Sequence, residues 1–456
     1  MQTVYGLVHG RPTPMPKQDT GGCVLALKTL APIHAILATL GTDGDVIPYI
    51  ALGARLRQRG HRLTLVAGEP YREAAAEHDL EFAPLLSADQ TRQMFDHPEF
   101  WNPLKGPHVA ARYGARLIGQ QYELLSRLAG DGTSVLVSSP AILAARLVHE
   151  KLERPLVTLI LQPWMIPSFS APPVMPVRGL SLPAHAPRAI GKLYYRMLDF
   201  AGELLMGREL NGLRRREHLP PVRRVFQWWL SPQLALGLFA DWYGPPQSDW
   251  PPQIRLTGFP MSDGRASSSL SAEVVDFCQS GPPPIVITFG TGMIHGADLY
   301  RRAIEACEQI KARAIVLTRH PRQLPRLPSN VKHFVFAPFQ RLFPLCAAVI
   351  HHGGIGTVAK AFAAGVPQLV LPIAYDQLDN AIRVKRLGAG EFIRPGKQSS
   401  EAIADALCRL MSSDTKSRCG DIASRFRDVD ALAAAAQSIE QLAAGTIASS
   451  AVSTSA

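Results

Sequence analysis

Residues 348–380, AVIHHGGIGTVAKAFAAGVPQLVLPIAYDQLDN, read as a strand, a tight glycine turn, a helix, a second strand and a polar Asp-Gln pair at its end. In open α/β sheets ligands lie outside the carboxyl ends of the strands. Both polar clusters, His351 to Thr357 and Asp376 to Asn380, are therefore expected to open onto one crevice.

The first cluster suits an anion. Gly353, Gly354 and Gly356 allow a ligand close to the backbone. The N–H groups at the start of the helix through Thr357, Val358 and Ala359 are unpaired donors at its positive end, and Ile355 in the turn before them counts with the donor site. His351, His352 and the Thr357 hydroxyl can add hydrogen bonds, while Val358 and Phe362 form the apolar face. A glycine turn that merely ends a buried strand gives the same pattern; the paired histidines and the Asp-Gln pair downstream favour the ligand. Asp376 offers acceptors, and Gln377 donors as well as acceptors, which together match vicinal sugar hydroxyls. Asp376 can also cap a helix from Leu378 to Arg386, and one role does not exclude the other.

HHGGIGT, GVPQLVLP and DQLDN, in that order and spacing, resemble the donor-binding signature of GT-B nucleotide-sugar glycosyltransferases, which include sterol, macrolide, glycopeptide and plant-product enzymes. LGTDGDVIPYIALGARLRQRGH and SPQLALGLFADWYGPPQSDWPPQIRLTGFP are similar to the rhamnosyltransferases of rhamnolipid synthesis. The resemblance runs from about Ile33 to Ala433. It implies two Rossmann-like parallel-sheet domains facing a cleft, and no cofactor beyond a nucleotide-sugar co-substrate, dTDP-rhamnose or a UDP-sugar. The signature aligns its phosphate-contacting histidine with His352, whereas the rhamnolipid branch keeps the position of His351. Thr291 falls at the matching phosphate-loop position of the other half of the site. Phe336 replaces a tryptophan that stacks on the pyrimidine, with Phe339 close by, and any aromatic face can stack.

Bulk properties agree with two globular domains. The chain has 456 residues, more than one core usually supports, with 46% hydrophobic and 19% charged residues. Its formal charge of +11 favours anionic membrane surfaces or nucleotide substrates. Arg214 to Arg216 and Arg223-Arg224 read as solvated helix faces, and no nucleic-acid motif is present. The six cysteines lack C-x-x-C spacing, implying neither a metal site nor a disulfide framework, as suits a reducing cytoplasm. No apolar run is long enough to span a bilayer. The expected location is cytoplasmic, with peripheral inner-membrane contact through the basic charge and a greasy, amphipathic acceptor.

The expected organisation is a loose extension (1–32), an acceptor-binding domain (33–241), a Pro-rich linker (242–262), a nucleotide-sugar domain (263–427), a helix crossing back onto the first domain (428–445) and a disordered tail (446–456). Alternating short apolar and amphipathic stretches argue for βαβ units in both domains. A Pro-rich and aromatic segment, Gln162 through Trp164, Met165, Phe169 and Pro176 to Leu182, reads as an acceptor wall or as an ordinary packed surface loop.

In LGTDGDVIPY, after the first strand, Asp43 and Asp45 form a D-x-D with three readings. It can bind a metal, as in the other glycosyltransferase fold; it can open a phosphohydrolase whose nucleophile is Asp43; or Asp45 can be the general base of a GT-B loop. The last is favoured, because Gly41-Thr42 separates strand from carboxylate and the second half of the chain carries the donor signature. The base must reach the acceptor hydroxyl on the face opposite the leaving diphosphate. Many plant relatives use a histidine here with a supporting aspartate further on, whereas SVLVSSP offers only Ser138 and Ser139. Asp45 can alternatively be the N-cap of a helix starting at Val46. A silent nucleotide-sugar-binding partner is the remaining alternative.

Overall fold

The computed structural model describes residues 31–445, apart from Asp131, 176–180, 183–185, Asp263 and 265–268. Pro176, nearly all of the expected extension and the tail lie outside the described residues.

Two all-parallel sheets form. The first contains β1 (His34–Ala38), β2 (Arg62–Gly68), β3 (Glu81–Leu86), β4 (Ser134–Ser138), β5 (Leu156–Ile160), β6 (Leu234–Gly237) and β7 (Ile254–Leu256), in the order β3-β2-β1-β4-β5-β6-β7. The second contains β8 (Ile285–Thr288), β9 (Ala314–Leu317), β10 (Val331–Phe334), β11 (Ala348–His351), β12 (Gln368–Val370) and β13 (Gly390–Phe392), in the order β10-β9-β8-β11-β12-β13. The central strands β1, β4, β5, β8 and β11 are buried along their whole length, because helices cover both faces of a parallel sheet. That is why they read as unbroken apolar runs.

Each sheet reverses its strand order at one place, between β1 and β4 in the first and between β8 and β11 in the second. Such switch points leave a crevice at the strand ends. The loops after β1, β4, β8 and β11 meet at one cleft, and they carry Asp45, Ser139, Thr291 and His352.

The segment expected as a linker is instead part of the packed structure. β7 lies inside 242–262 and pairs with β6. Trp242 packs on Phe362 and Phe426 of the second half at ring distances of 5.7 and 5.8 Å. The buried Tyr243 donates its hydroxyl to Asn380 Oδ1 at 2.7 Å. Its proline density marks irregular backbone, and the aromatic residues between the prolines make that backbone a wedge rather than a tether.

The helix Ala431–Ala443 packs Ala435, Ala436, Ile439 and Leu442 into the core of the first sheet. Its Glu440 accepts from Arg59 Nε and Nη2 at 2.6 and 2.7 Å and pairs with His61 Nε2 at 2.8 Å. One expected solvated charge is also corrected: Arg214 is buried, donating to Glu150 Oε2 at 2.6 Å beneath the Trp228 ring. Arg215, Arg216, Arg223 and Arg224 are exposed.

Candidate active site

The cleft holds a cavity of about 440 Å³ lined from both sheets. From the first sheet come Thr39 to Asp45, Ile47, Ser139 and an apolar wall that includes Met94, Phe95, Trp101, Trp164 and Met165. From the second come Thr291, Phe336, Phe339, His352, Gly354, Ile355, Gly356, Thr357, Asp376 and Gln377.

Asp45 is not an N-cap. The helix Asp43–Gln58 starts earlier, with Thr42 at the N-cap, so Asp45 occupies its third position and the carboxylate reaches back. Oδ2 accepts from Thr42 N at 2.9 Å and from the Thr42 hydroxyl at 3.3 Å. This fold-back needs Gly41, since a Cβ there would fall 2.2 Å from Asp45 Oδ2. Burial pushes the Asp45 carboxyl up to about 6; the Thr42 hydrogen bonds oppose this and the Asp43 charge adds to it. Asp43 is committed elsewhere: its two oxygens accept from Tyr71 OH at 3.1 Å and from Arg319 Nη2 of the second sheet at 2.8 Å. With both oxygens held, Asp43 is a bridge between domains rather than a free nucleophile.

The glycine turn is built by residues behind the cavity. Gly353 has φ +99, where side chains are disfavoured, and a Cβ there would lie 2.9 Å from Gln377 O. Its N–H donates to His351 Nδ1 at 3.1 Å, which leaves Nε2–H of that ring to donate to Gln368 Oε1 at 3.0 Å. His351 is fully buried and does not line the cavity, and burial pushes its pKa down to about 3. His352 is the first residue past the strand end and lines the cavity. Its ring fits between Gly290 and Gly354, where added Cβ atoms would lie 2.9 and 2.6 Å from ring atoms. Burial pushes its pKa down to about 4, against the Thr288 carbonyl, so the ring is a neutral donor near pH 7. Its Nδ1 makes no hydrogen bond to the protein. The helix Ile355–Ala363 begins beside it with Gly354 at the N-cap, aiming its first N–H groups at the cavity.

Asp376 stands at the N-cap position of the helix Gln377–Arg386, which begins one residue before the expected Leu378, yet its side chain makes no capping bond. Its Oδ2 accepts from Asn380 Nδ2 at 2.7 Å. Burial, and then the Asp45 charge, push the Asp376 carboxyl up to about 7. Asp376 thus senses the charge of Asp45 from the opposite domain. Gln377 Oε1 accepts from Ile373 N and Ala374 N at 2.8 and 3.0 Å, so Nε2 is the end it can offer a ligand. Asn380, also expected in the site, is fully buried behind it. It donates to Gly353 O at 2.9 Å as well as to Asp376, tying the glycine turn to the acid. Phe339 stacks on Phe343 at 4.6 Å, and Lys360 lies 5.6 Å over its ring.

Trp101, Tyr375 and Arg319 also belong to the site and were not expected from the sequence. Tyr375, at φ +55, donates to Phe100 O at 2.6 Å and meets the Trp101 ring at 5.9 Å. Trp101 in turn lies against Gly292, whose added Cβ would sit 2.7 Å from the indole and equally close to Thr42. The Phe100-Trp101 pair between His97-Pro98 and Asn102-Pro103 was the available signal, but a sequence does not say which gap an aromatic loop crosses. Among the described residues no three His, Cys, Asp or Glu side chains gather as metal ligands.

Residues 35–169 match the Glycosyltransferase family 28 N-terminal domain, and residues 301–444 match the Erythromycin biosynthesis protein CIII-like, C-terminal domain. The chain is 29% identical to O-mycaminosyltylonolide 6-deoxyallosyltransferase of Streptomyces fradiae, over 81% of this chain and 87% of that protein. It is 26% identical to sterol 3-beta-glucosyltransferase UGT80A2 of Arabidopsis thaliana, over 90% of this chain and 65% of that longer protein. The spinosyn rhamnosyltransferase SpnG, solved with thymidine diphosphate, superposes with a TM-score of 0.64 at 19% identity, over 90% of this chain and all of that one. Two Rossmann-like sheets around one cleft, with one of these matches in each half of the chain, make it a glycosyltransferase of GT-B fold.

Proposed function

We propose that this glycosyltransferase moves a hexose or deoxyhexose, rhamnose favoured, with inversion from a dTDP- or UDP-sugar to a hydroxyl of an amphipathic, lipid-like acceptor of hydroxyalkanoyl type, giving a glycolipid. The observation that carries the reaction is the convergence of Asp45 and the donor cluster on one cavity from opposite domains. Asp45 accepts the acceptor's hydroxyl proton as its oxygen bonds to the anomeric carbon. The bond to the diphosphate breaks with its electron pair, and the new charge is met by the helix N–H groups at Ile355 and Gly356, by Thr291 and by the neutral His352. Asp376 and Gln377 hold the sugar hydroxyls, and Phe336 lies beside the base.

The apolar wall of Ile47, Met94, Phe95, Trp164 and Met165 supports a greasy acceptor. A thymidine diphosphate-bound structural neighbour and a deoxyallosyl-transferring relative support a deoxysugar on thymidine diphosphate. A sterol or polyketide acceptor is the second reading, favoured by what the sterol and tylonolide relatives are named for. Mass spectrometry of products from a matrix of dTDP-rhamnose and UDP-glucose with hydroxyalkanoates, sterols and macrolide aglycones decides between them. Glycoside only on a sterol or macrolide replaces the acceptor assignment. Full turnover in Asp45→Asn overturns the base assignment.

A further inference from the structure

The helix Arg188–Gly202 is turned inside out. Its inward face is Gly191, Tyr195, Asp199 and Gly202. The opposite face, Ile190, Leu193, Met197 and Phe200, continued by Leu204, is 50–69% exposed. At 3.6 residues per turn these five side chains form one stripe directly opposite the buried one. The orientation is fixed by close packing: an added Cβ at Gly191 would lie 2.6 Å from Phe169 Cβ, and one at Gly202 would lie 2.8 Å from the Phe226 ring. Neither glycine position tolerates a rotation that would hide the stripe. Asp199 is satisfied on the inside, accepting from Phe226 N at 3.2 Å and Gln227 Nε2 at 3.3 Å.

We propose that this stripe is a docking surface for an anionic lipid bilayer, on which the helix lies with its apolar side chains in the headgroup boundary. Charge chooses this occupant. Arg188, Lys192 and Arg196 are exposed along one flank and form no ion pair among the described residues, while Glu203 is the half-buried acid of that stretch. An apolar face bordered by cations is the pattern of an interfacial helix. The formal charge of +11 attracts an anionic surface and repels a second copy of the chain. The helix lies on the bilayer rather than across it, since no helix among the described residues is long and apolar enough to span one.

The stripe connects with the cavity through one stretch of chain. Trp164 and Met165 line the cavity, and a little further on Phe169 packs beneath Gly191 with the Lys192 ammonium 5.9 Å over its ring. Asp249 pins that stretch by accepting from Phe169 N at 2.6 Å and Ser168 Oγ at 2.8 Å. A bilayer contact here sets a lipid-like acceptor beside the apolar wall; that clause rests on the proposed function, whereas the docking itself does not.

Co-sedimentation of the full chain with vesicles tests the docking without any transfer assay. The chain is expected to pellet with phosphatidylglycerol-rich vesicles at about 50 mM salt, to be released at about 500 mM, and to stay in solution with pure phosphatidylcholine. Met197→Glu/Phe200→Glu, and separately Lys192→Glu/Arg196→Glu, should each weaken binding at least about tenfold while keeping the wild-type melting temperature, since these side chains are exposed. Wild-type chain that stays in solution with anionic vesicles overturns the proposal. So does a wild-type dimer in light scattering that Met197→Glu/Phe200→Glu turns into monomer, because a second copy then covers the stripe.

Discussion

At the scale of single residues, Asp45 carries the sharpest consequences. Its Oδ2 is committed to Thr42, so Oδ1 is the oxygen able to take a proton. With the carboxyl raised to about 6, the proposed base is ionised above that pH, and kcat/KM should fall as pH drops through about 6. Asp376 holds its proton to about 7 and is still neutral while Asp45 ionises, so Asp376→Asn should leave the acid limb of the residual activity near pH 6. A limb that moves with this variant assigns the titration to Asp376 instead. Asp45→Asn should lower kcat by about 10²–10⁴-fold. The same change should stabilise the fold at pH 8. A carboxyl whose folded pKa lies above its unfolded value of 3.8 binds its proton more tightly when folded, so stability is lost as pH rises from about 4 to 6 and stays lost above. From 3.8 to about 6 is about two pKa steps, an upper bound of ~3 kcal/mol that water in the cavity reduces. Thermal melts should therefore show Asp45→Asn above wild type at pH 8 and the gap closing by about pH 4.

At the scale of elements, the glycine turn and the helix Gln377–Arg386 behave as one unit through Asn380. Asn380→Ala orphans the Tyr243 hydroxyl and the Gly353 carbonyl and frees Asp376, at a cost of about 1–3 kcal/mol per buried group left unpaired. The expected result in urea melts and thymidine diphosphate calorimetry is a loss of both stability and affinity. Gly354→Ala should lose affinity with stability nearly kept, because its Cβ pushes only on the His352 ring. The strand, turn, helix and Asp-Gln pair were legible because short apolar runs and glycines state them locally. Which histidine faces the ligand was not. Neighbouring residues on a strand point to opposite faces, and the reading depends on whether β11 ends at His351 or one residue later. A shift of a few residues likewise separates the expected helix start at Val46 from the observed one at Asp43, and so turns Asp45 from a cap into a side chain folded back toward its cap. Long-range pairings had no local signature at all. Arg214 with Glu150, and Trp242 with Phe362, joined residues that only the folded chain brings together.

At the scale of the whole molecule, connections of unequal strength join the two sheets, and their magnitudes rank them. The aromatic wedge of Trp242, Tyr243, Phe259, Phe362 and Phe426 is an apolar core shared by both. The C-terminal helix returns to the first sheet and is anchored by Glu440, 7% exposed, on Arg59 and His61. The third, Asp43 to Arg319 across the cleft mouth, is an ion pair whose arginine is 43% exposed. Exposed pairs contribute about 0.2–1 kcal/mol, whereas leaving a buried partner such as His61 unpaired costs about 1–3 kcal/mol. The far side of the molecule is thus firmly joined, and at the cleft the Asp43–Arg319 pair is a weak contact beside the Tyr375 hydroxyl on Phe100 O and the Trp101 ring on Gly292. Glu440→Ala should lower the urea midpoint by the equivalent of about 1–3 kcal/mol, since it leaves the buried His61 ring unpaired. Arg319→Ala should shift it by less than about 1 kcal/mol. It should nonetheless raise the donor KM, because Asp43 is two residues from the proposed base and loses the partner that holds its loop against the second sheet. If Arg319→Ala unfolds as readily as Glu440→Ala, the cleft bridge carries more of the domain contact than its exposure implies. If it leaves both midpoint and KM unchanged, the loop of Asp45 is held without Arg319, by Tyr71 on Asp43 and the packing of Thr42 and Gly41.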